Sequence, residues 1–525
     1  MRLVVPCLCA SSYQLELTNE AVAPDGFSRS SVLANKQFPG PLLSVQKNEP
    51  LRVLVDNQLI DTSMAQGSSI HWHGLTEHKT AAQDGVAWVT QCPIAPGDSF
   101  QYVLNTAGQT GYHSHITTQY CDGLRGPLVI YDIEDPLKYL YDVDDGRCPT
   151  ASRAPFTQVD NGFFIESTVI TLGDWFHVVS PEAFNNFLNP DSFVINGLGR
   201  YDGGDQSPLA VVDVSAGLRH RFRIVNTACI AGFNFSIDRH PFPVIEVDGV
   251  ETKPLVTDIV SLWPGQRISV VVNANQSVEN YWIRATPFVL GTSPSNTTGV
   301  NAAILRYRGA QEIDPKTESI ATNLMREQDL EVCYKIFSHP ATYSDSTPTL
   351  QDANGTRFLV NGSRYVPPPV PVLLQILNGS IDAQEIMPIG SVITLPRDKL
   401  ISITIPGGSP IAPHPFHLHG HNFQVIRSAG SATNNSKPIF RDVINTGYAG
   451  DDATFFFRTD NPGPWLLHCH IDFHLEAALA IVFAEAPEDQ VAGYYAEERP
   501  KDWEALCPKW NSLTEGKQFA LDDSN

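Results

Sequence analysis

The pattern His-x-His constrains this chain more than any other feature. It occurs at His71/His73, His113/His115, His417/His419, His419/His421 and His468/His470, among only 16 histidines in 525 residues. Random placement at this composition would give about 0.5 such pairs. Side chains along a strand alternate between faces, so residues two apart share a face. Each pair on a strand therefore presents two imidazoles side by side. IHWHG, YHSHI, FHLHG and LHCHI all have strand-like neighbours. Two of these lie in the first quarter of the chain and two in the last, so their eight imidazoles converge only if the two end regions meet.

A mononuclear zinc site takes three or four ligands. Eight neutral nitrogen ligands between two domains imply about three metal ions at two to three imidazoles each. Residues 466–479, LLHCHIDFHLEAAL, place Cys469 between His468 and His470. If the flanking histidines face the cluster, Cys469 faces the other way and needs its own metal. His474 follows it by five residues, and His414 stands three before another pair. One thiolate with two imidazoles is the trigonal set of a blue-copper electron-transfer centre. The alternating peptide then joins the two centres covalently over about 10 Å. HCHIDFH also echoes a zinc-hydrolase pattern, but its spacing is off by one and a central Cys suits that chemistry poorly. His78, His177, His220, His240 and His339 have no such partners and read as surface or hydrogen-bonded residues; His421 reads as a neighbour of a ligand.

Gly (37) and Pro (39) are plentiful between Val/Ile/Thr/Phe-rich runs, which predicts many short strands joined by turns. Alternation marks strands at Leu51–Val55, Phe100–Leu104, Leu128–Tyr131, Arg219–Val225, Ile268–Val272, Leu400–Ile405 and Thr454–Arg458. APGDSFQYVL, SAGLRHRFRIVN and WPGQRISVVVNA share a Gly turn followed by an alternating strand, spaced by the order of a domain length. Irregular stretches near Asp142–Gln158 and Tyr307–Thr317 read as linkers. The expectation is three β-sandwich domains over 12–140, 141–309 and 310–525.

With 35 basic against 57 acidic residues the net charge is -22, which disfavours nucleic acid and anionic membranes as partners. No run reaches the roughly 18 apolar residues of a membrane span. Residues 1–11 read as a short secretory signal: one Arg, an apolar stretch and small residues. Seven Asn-x-Ser/Thr sequons, at Asn234, Asn275, Asn296, Asn354, Asn361, Asn378 and Asn434, favour a secreted, extracellular glycoprotein. Outside the signal seven cysteines remain. An odd count in an exported chain implies disulfides plus one thiol with another job, and Cys469 is the obvious one.

At these residues the sequence resembles the multicopper oxidases and, within them, the fungal laccases. IHWHGL, GYHSHITTQYCDGLRGPLVIYD, HPFHLHGH and NPGPWLLHCHIDFHLEAAL match the family's four copper motifs in order, and APDGFSR, FSID, NYWIRA and FRDV extend the likeness over nearly the whole chain. The resemblance implies an all-β protein of three cupredoxin-like Greek-key sandwiches with few short helices. It also implies four copper ions and one-electron oxidation of phenolic or other aromatic donors, coupled to four-electron reduction of O₂ to water. By position, the type 1 copper takes His414, Cys469 and His474, with the non-ligating Leu479 at the axial place. The type 2 copper takes His71 and His419. The type 3 pair takes His73, His113 and His470 on one ion and His115, His417 and His468 on the other. Asp84 and Asp472 match acids beside the cluster that relay protons. Disulfides Cys92–Cys507 and Cys121–Cys229 are implied, leaving Cys148 and Cys333, whose pairing the resemblance does not give. A monomer is expected.

An axial Leu leaves the type 1 copper three-coordinate and favours the cuprous state, which raises the potential relative to Met. Two departures from the family stand out. Ile230 follows Cys229 where an acid that binds phenols is usual, and Gly111 precedes YHSH where an aromatic is usual. Two other functions compete. A ferroxidase would carry acids around His414 and His474. A non-catalytic copper-binding protein would be Met-rich, and this chain has only 4 Met.

Overall fold

A computed structural model describes residues 12–106, 110–144, 156–159, 162–165, 168–288, 300–332, 358–408, 413–432, 434–492, 496 and 500–513. The expected signal, Cys148, Cys333, His339, Asn296 and Asn354 lie outside the described residues. Six sheets fall into three successive pairs along the chain. The first pair has strand order Arg29–Ala34, Ser12–Val22, Leu51–Asn57, Ser99–Leu104 in one sheet and Leu43–Gln46, Arg125–Tyr131, Thr110–Ser114, Ile70–His71 in the other. A seven-stranded and a six-stranded sheet follow, built from strands between Phe156–Val159 and Ala302–Tyr307. The last pair spans Val392–Leu395 to Ala480–Glu485.

The alternation in the sequence explains the pairing. Ser99–Leu104 buries every second residue. Phe100, Tyr102 and Leu104 meet Leu43, Val45, Leu128 and Ile130 of the facing sheet in one apolar cluster, as two stacked sheets require. Gly463–Cys469 is buried at every position, because one face packs on the core and the other on the histidines.

Two register pairs bring the imidazoles together. His71 lies opposite His113 in the first sandwich, and His417 opposite His468 in the last. Directly opposed residues have Cβ atoms about 5 Å apart. The last sandwich is fastened back onto the first. The helix Lys501–Asn511 carries Cys507, bonded to Cys92; Trp503 Nε1 donates to the Thr90 carbonyl at 2.9 Å, and Asn461 Nδ2 to that of Thr76 at 2.7 Å. This strap closes the two end regions around the eight imidazoles.

Residues beyond 310 still run along the second sandwich. Thr317 Oγ1 donates to Asp238 Oδ2 at 2.6 Å, Met325 N to the Ile259 carbonyl at 2.9 Å, and Val332 bridges Thr252. Helices are few and short; the longest among the described residues has 11 residues. None of them is long and apolar enough to cross a membrane.

Candidate metal centre

The strand Gly463–Cys469 organises two sites. His468 faces the imidazole cluster, while Cys469 turns to the opposite side beneath His414 and His474. Its Sγ lies 3.6 Å from His414 Nδ1 and 3.5 Å from His474 Nδ1, and the two nitrogens are 3.0 Å apart. The short helix Asp472–Glu476 delivers His474. The chain then folds back: Leu479 N donates to the His474 carbonyl and Cys469 N to that of Leu479. This sets the fully buried Leu479 beside the cysteine. Phe358 packs its ring 5.5 Å from His414 and 5.1 Å from His474. Burial pushes the Cys469 thiol up, with an Ile471 backbone hydrogen bond opposing, and holds His414 down at about 4. The imidazoles are thus in their ligand form, whereas the buried thiol needs a cation to ionise it.

On the other face all eight imidazoles of the four pairs are buried. Each pair has one histidine in a strand, or at its end, and one just past it. Six of the eight are anchored through their outward nitrogens. His71 Nδ1 donates to the Asp84 carbonyl at 2.8 Å, His417 Nδ1 to that of Asp442 at 2.8 Å, His113 Nδ1 to that of Ser114 at 2.9 Å, and His468 Nδ1 to that of Cys469 at 2.9 Å. His419 Nδ1 donates to Asp84 Oδ2 at 3.0 Å, and His73 Nε2 to Asp442 Oδ1 at 3.3 Å. The inward Nε2 atoms of His71, His113, His115 and His417 are buried without a hydrogen-bond partner. Such groups are costly to bury unless something ligates them. Burial also holds His113 and His468 down at about 3, and His73, His115, His417, His419 and His470 well below their ordinary value. A box of buried imidazoles, most of them anchored from outside and four with unsatisfied inward nitrogens, fits copper.

The grouping of donor atoms differs from the expected sets at one point. His73, His113 and His470 come together as expected, but His419, not His417, joins His115 and His468. His419 Nε2 lies 3.1 Å from His468 Nε2. His417 groups instead with His71 and His73. His71 and His419 do meet around Asp84, but through the Nδ1 atoms that face away from the box. His417 and His419 share one side of the chain, so alternation alone does not tell which ion each reaches. The turn after Leu418 carries His419 to the group formed by His115 and His468.

The remaining expected residues fall as follows. Asp84 touches His71 and His419. Asp472 has its Oδ2 3.1 Å from Cys121 Sγ, and burial, then Glu476, hold its carboxyl well above the usual range. Cys121 is bonded to Cys229. Ile230 is 7% exposed, on a loop tied to the His474 helix by Asp472 N donating to the Cys229 carbonyl at 3.0 Å. Asp174 accepts from the backbone N–H groups of Cys229, Ile230 and Ala231 at 2.7, 2.8 and 3.1 Å. Beside Gly111 a Cβ would meet only the Gly126 carbonyl at 3.4 Å and Val225 at 3.7 Å. His421 pairs with Glu485 at 2.8 Å. Asp442 and Arg267 were not singled out in the sequence; FRDV, a charged pair beside an apolar stretch, was the only signal for Asp442.

Family models described as multicopper oxidase match residues 16–135, 166–310 and 365–489. The chain is 45% identical to Laccase-5 of Trametes villosa, covering 95% of this chain and 93% of that protein. It is 42% identical to Laccase-2 of Agaricus bisporus, covering 97% and 98%. The crystal structure of the laccase from Botrytis aclada superposes with a TM-score of 0.80 at 28% identity, covering 98% of this chain and 94% of that one. The chain therefore belongs to the multicopper oxidases and is a copper oxidoreductase of the laccase type.

Proposed function

We propose that the protein oxidises small phenolic and other aromatic donors one electron at a time and passes the electrons to O₂, with four copper ions divided one, one and two. His414, Cys469 and His474 would hold the type 1 ion, and the buried Leu479 lies beside Cys469. The type 2 ion takes His71 and His417. The type 3 pair takes His73, His113 and His470 on one ion and His115, His419 and His468 on the other. Copper bound at these residues supplies the one-electron redox chemistry. The observation that carries this reading is the alternation at Cys469, whose sulfur faces one site while its neighbours His468 and His470 face the other. The peptide through that residue links donor side and oxygen side covalently.

Asp84, fixed between His71 and His419, is placed to hand protons to the reducing site, and Asp472 serves the opposite flank. Both act by position, within reach of groups that bound copper would polarise. Phe358 and the Ile230 loop border the donor side, where an aromatic ring packs on apolar walls. A ferroxidase would hold Fe²⁺ on acids at His414 and His474. Asp472, two residues before His474, is turned onto the Cys121 sulfur instead.

The domains run 12–140, 141 to about 332 and thence to 525, the second extended past 310 by the contacts of Thr317, Met325 and Val332. The protein is a secreted monomer. Sequons at Asn275, Asn361, Asn378 and Asn434 are exposed, and two disulfides suit an oxidising compartment. Oxygen uptake measured against donor oxidised tests the function. The reading requires one O₂ consumed per four one-electron oxidations without peroxide release; two electrons per O₂ with peroxide would reject it.

A further inference from the structure

The second sandwich supplies none of the eight imidazoles, yet its turn Trp263 to Arg267 lies directly against them. Gly265 has φ +82°, and a Cβ built there would stand 2.7 Å from Cδ2 of His470. Two residues on, the buried Arg267 donates from Nη2 to Asp442 Oδ2 at 2.7 Å and from Nη1 to Asp442 Oδ1, closing a two-bond fork. The fork is braced from behind. Arg267 N donates to Asp248 Oδ1 at 2.8 Å, and Asp248 Oδ2 accepts from Arg441 Nε at 2.8 Å. Asp442 faces the cluster twice, through Oδ1 toward His73 Nε2 and through its carbonyl toward His417 Nδ1.

We propose that Arg267 is a positioning residue for the imidazole cluster, acting through Asp442 on His73. This rests on the copper reading above. A carboxylate that accepts from the outer nitrogen of an imidazole fixes both its tautomer and its ring plane. For His73 it leaves Nδ1 free to face inward, where it lies 3.1 Å from His470 Nε2. A carboxylate on a single bond would swing, and a planar guanidinium fork holds it in one plane. Arginine suits the task because its two parallel donors match both oxygens; lysine offers a single point charge. The arrangement joins all three sandwiches, with His73 from the first, Arg267 from the second, and Asp442 with His417 from the third.

The competing view is that this ion pair only glues the second sandwich to the third. Arg267→Met and Arg267→Lys separate the two, with Arg221→Met as the control. Arg221 is equally buried and paired with Asp135 and Glu246, away from the histidines. Copper-loaded parent and variants are dialysed against graded chelator, then copper per chain, the blue thiolate band and the melting temperature are measured. The expected result is that Arg267→Met keeps the blue band but loses cluster copper at about 10- to 100-fold lower chelator concentration. Arg267→Lys should recover part of the difference, and Arg221→Met should melt earlier while retaining copper like the parent. An Arg267→Met protein that melts earlier yet retains cluster copper like the parent overturns the inference. If that variant does not fold, Asp442→Asn takes its place: selective loss of cluster copper supports the inference and full retention overturns it. A parent that binds no cluster copper would sink the copper reading itself, so the two failures are distinct.

Discussion

Replacing Ile230 with Asp puts a carboxylate on the loop tied to the His474 helix, which bears on the proposed donor side. Phenol oxidation couples loss of an electron to loss of a proton, and a nearby carboxylate accepts that proton. The buried Asp174, on the strand Val169–Trp175 against this loop, cannot serve, because it already accepts from three successive backbone N–H groups of residues 229 to 231. General-base assistance contributes about 10²- to 10⁴-fold. Ile230 is 7% exposed and flanked by that anion, so burial and like charge raise the pKa of a new carboxyl there and leave part of it protonated. The expected gain in kcat/KM for phenols is therefore about 10-fold, or about 1.4 kcal/mol of barrier. It should grow as pH rises through the raised pKa and vanish in acid. Losing a buried Ile should also cost about 2–5 kcal/mol of stability. A donor that loses an electron without losing a proton should change by less than about two-fold against the 10-fold phenol gain. Steady-state kinetics of both proteins on one phenol and one such donor, across pH, decide the matter. Equal changes for both donors, or no change for the phenol, would mean that no carboxylate at position 230 takes the phenolic proton.

Cys469→Ser should abolish the blue band and donor oxidation while cluster copper still binds, as copper analysis and absorption will show; a variant that stays blue contradicts the assignment. Leu479→Met conserves core volume and should cost less than about 1.5 kcal/mol of stability, yet redox titration should find a lower type 1 potential, by about 59 mV for each 1.4 kcal/mol of added preference for the oxidised ion. An unchanged potential would mean that Leu479 is not axial. In copper-free protein, His113 and His468 titrate at about 3 and His414 at about 4, against 6.5 when unfolded. Below pH 6.5 the unfolded chain therefore takes up protons that the fold refuses, so stability falls as pH drops, by about 1.4 kcal/mol per pH unit for each such imidazole. Melting temperatures between pH 7 and 4 check this, and a flat profile would show that the imidazoles protonate in the fold.

The pairs at His71/His73, His113/His115, His417/His419 and His468/His470 were legible because strand alternation is a local rule. Cys469 opposing its neighbours follows from the same rule. The partition of His417 and His419 was not legible, since a turn, not the strand, decides which donor group each imidazole joins. Nor was the contact between Arg267 and Asp442, which are 175 residues apart and meet only when two sandwiches dock. The stretch from Thr317 to Val332 lacks alternation and read as the start of the last domain, yet its bonds to Asp238, Thr252 and Ile259 run along the second sandwich. Ile230 read as a departure in a donor pocket. Its burial and the commitment of Asp174 beneath it emerge only from packing.

In the proposed function, the strand Gly463–Cys469 separates a thiolate copper from a three-copper cluster. Copper per chain, taken with the visible spectrum of the purified protein, tests it most directly. Four coppers and an intense blue thiolate band, which Cys469→Ser removes along with one copper, are expected. Three or fewer coppers in the fully loaded parent, or four without the blue band, would contradict it.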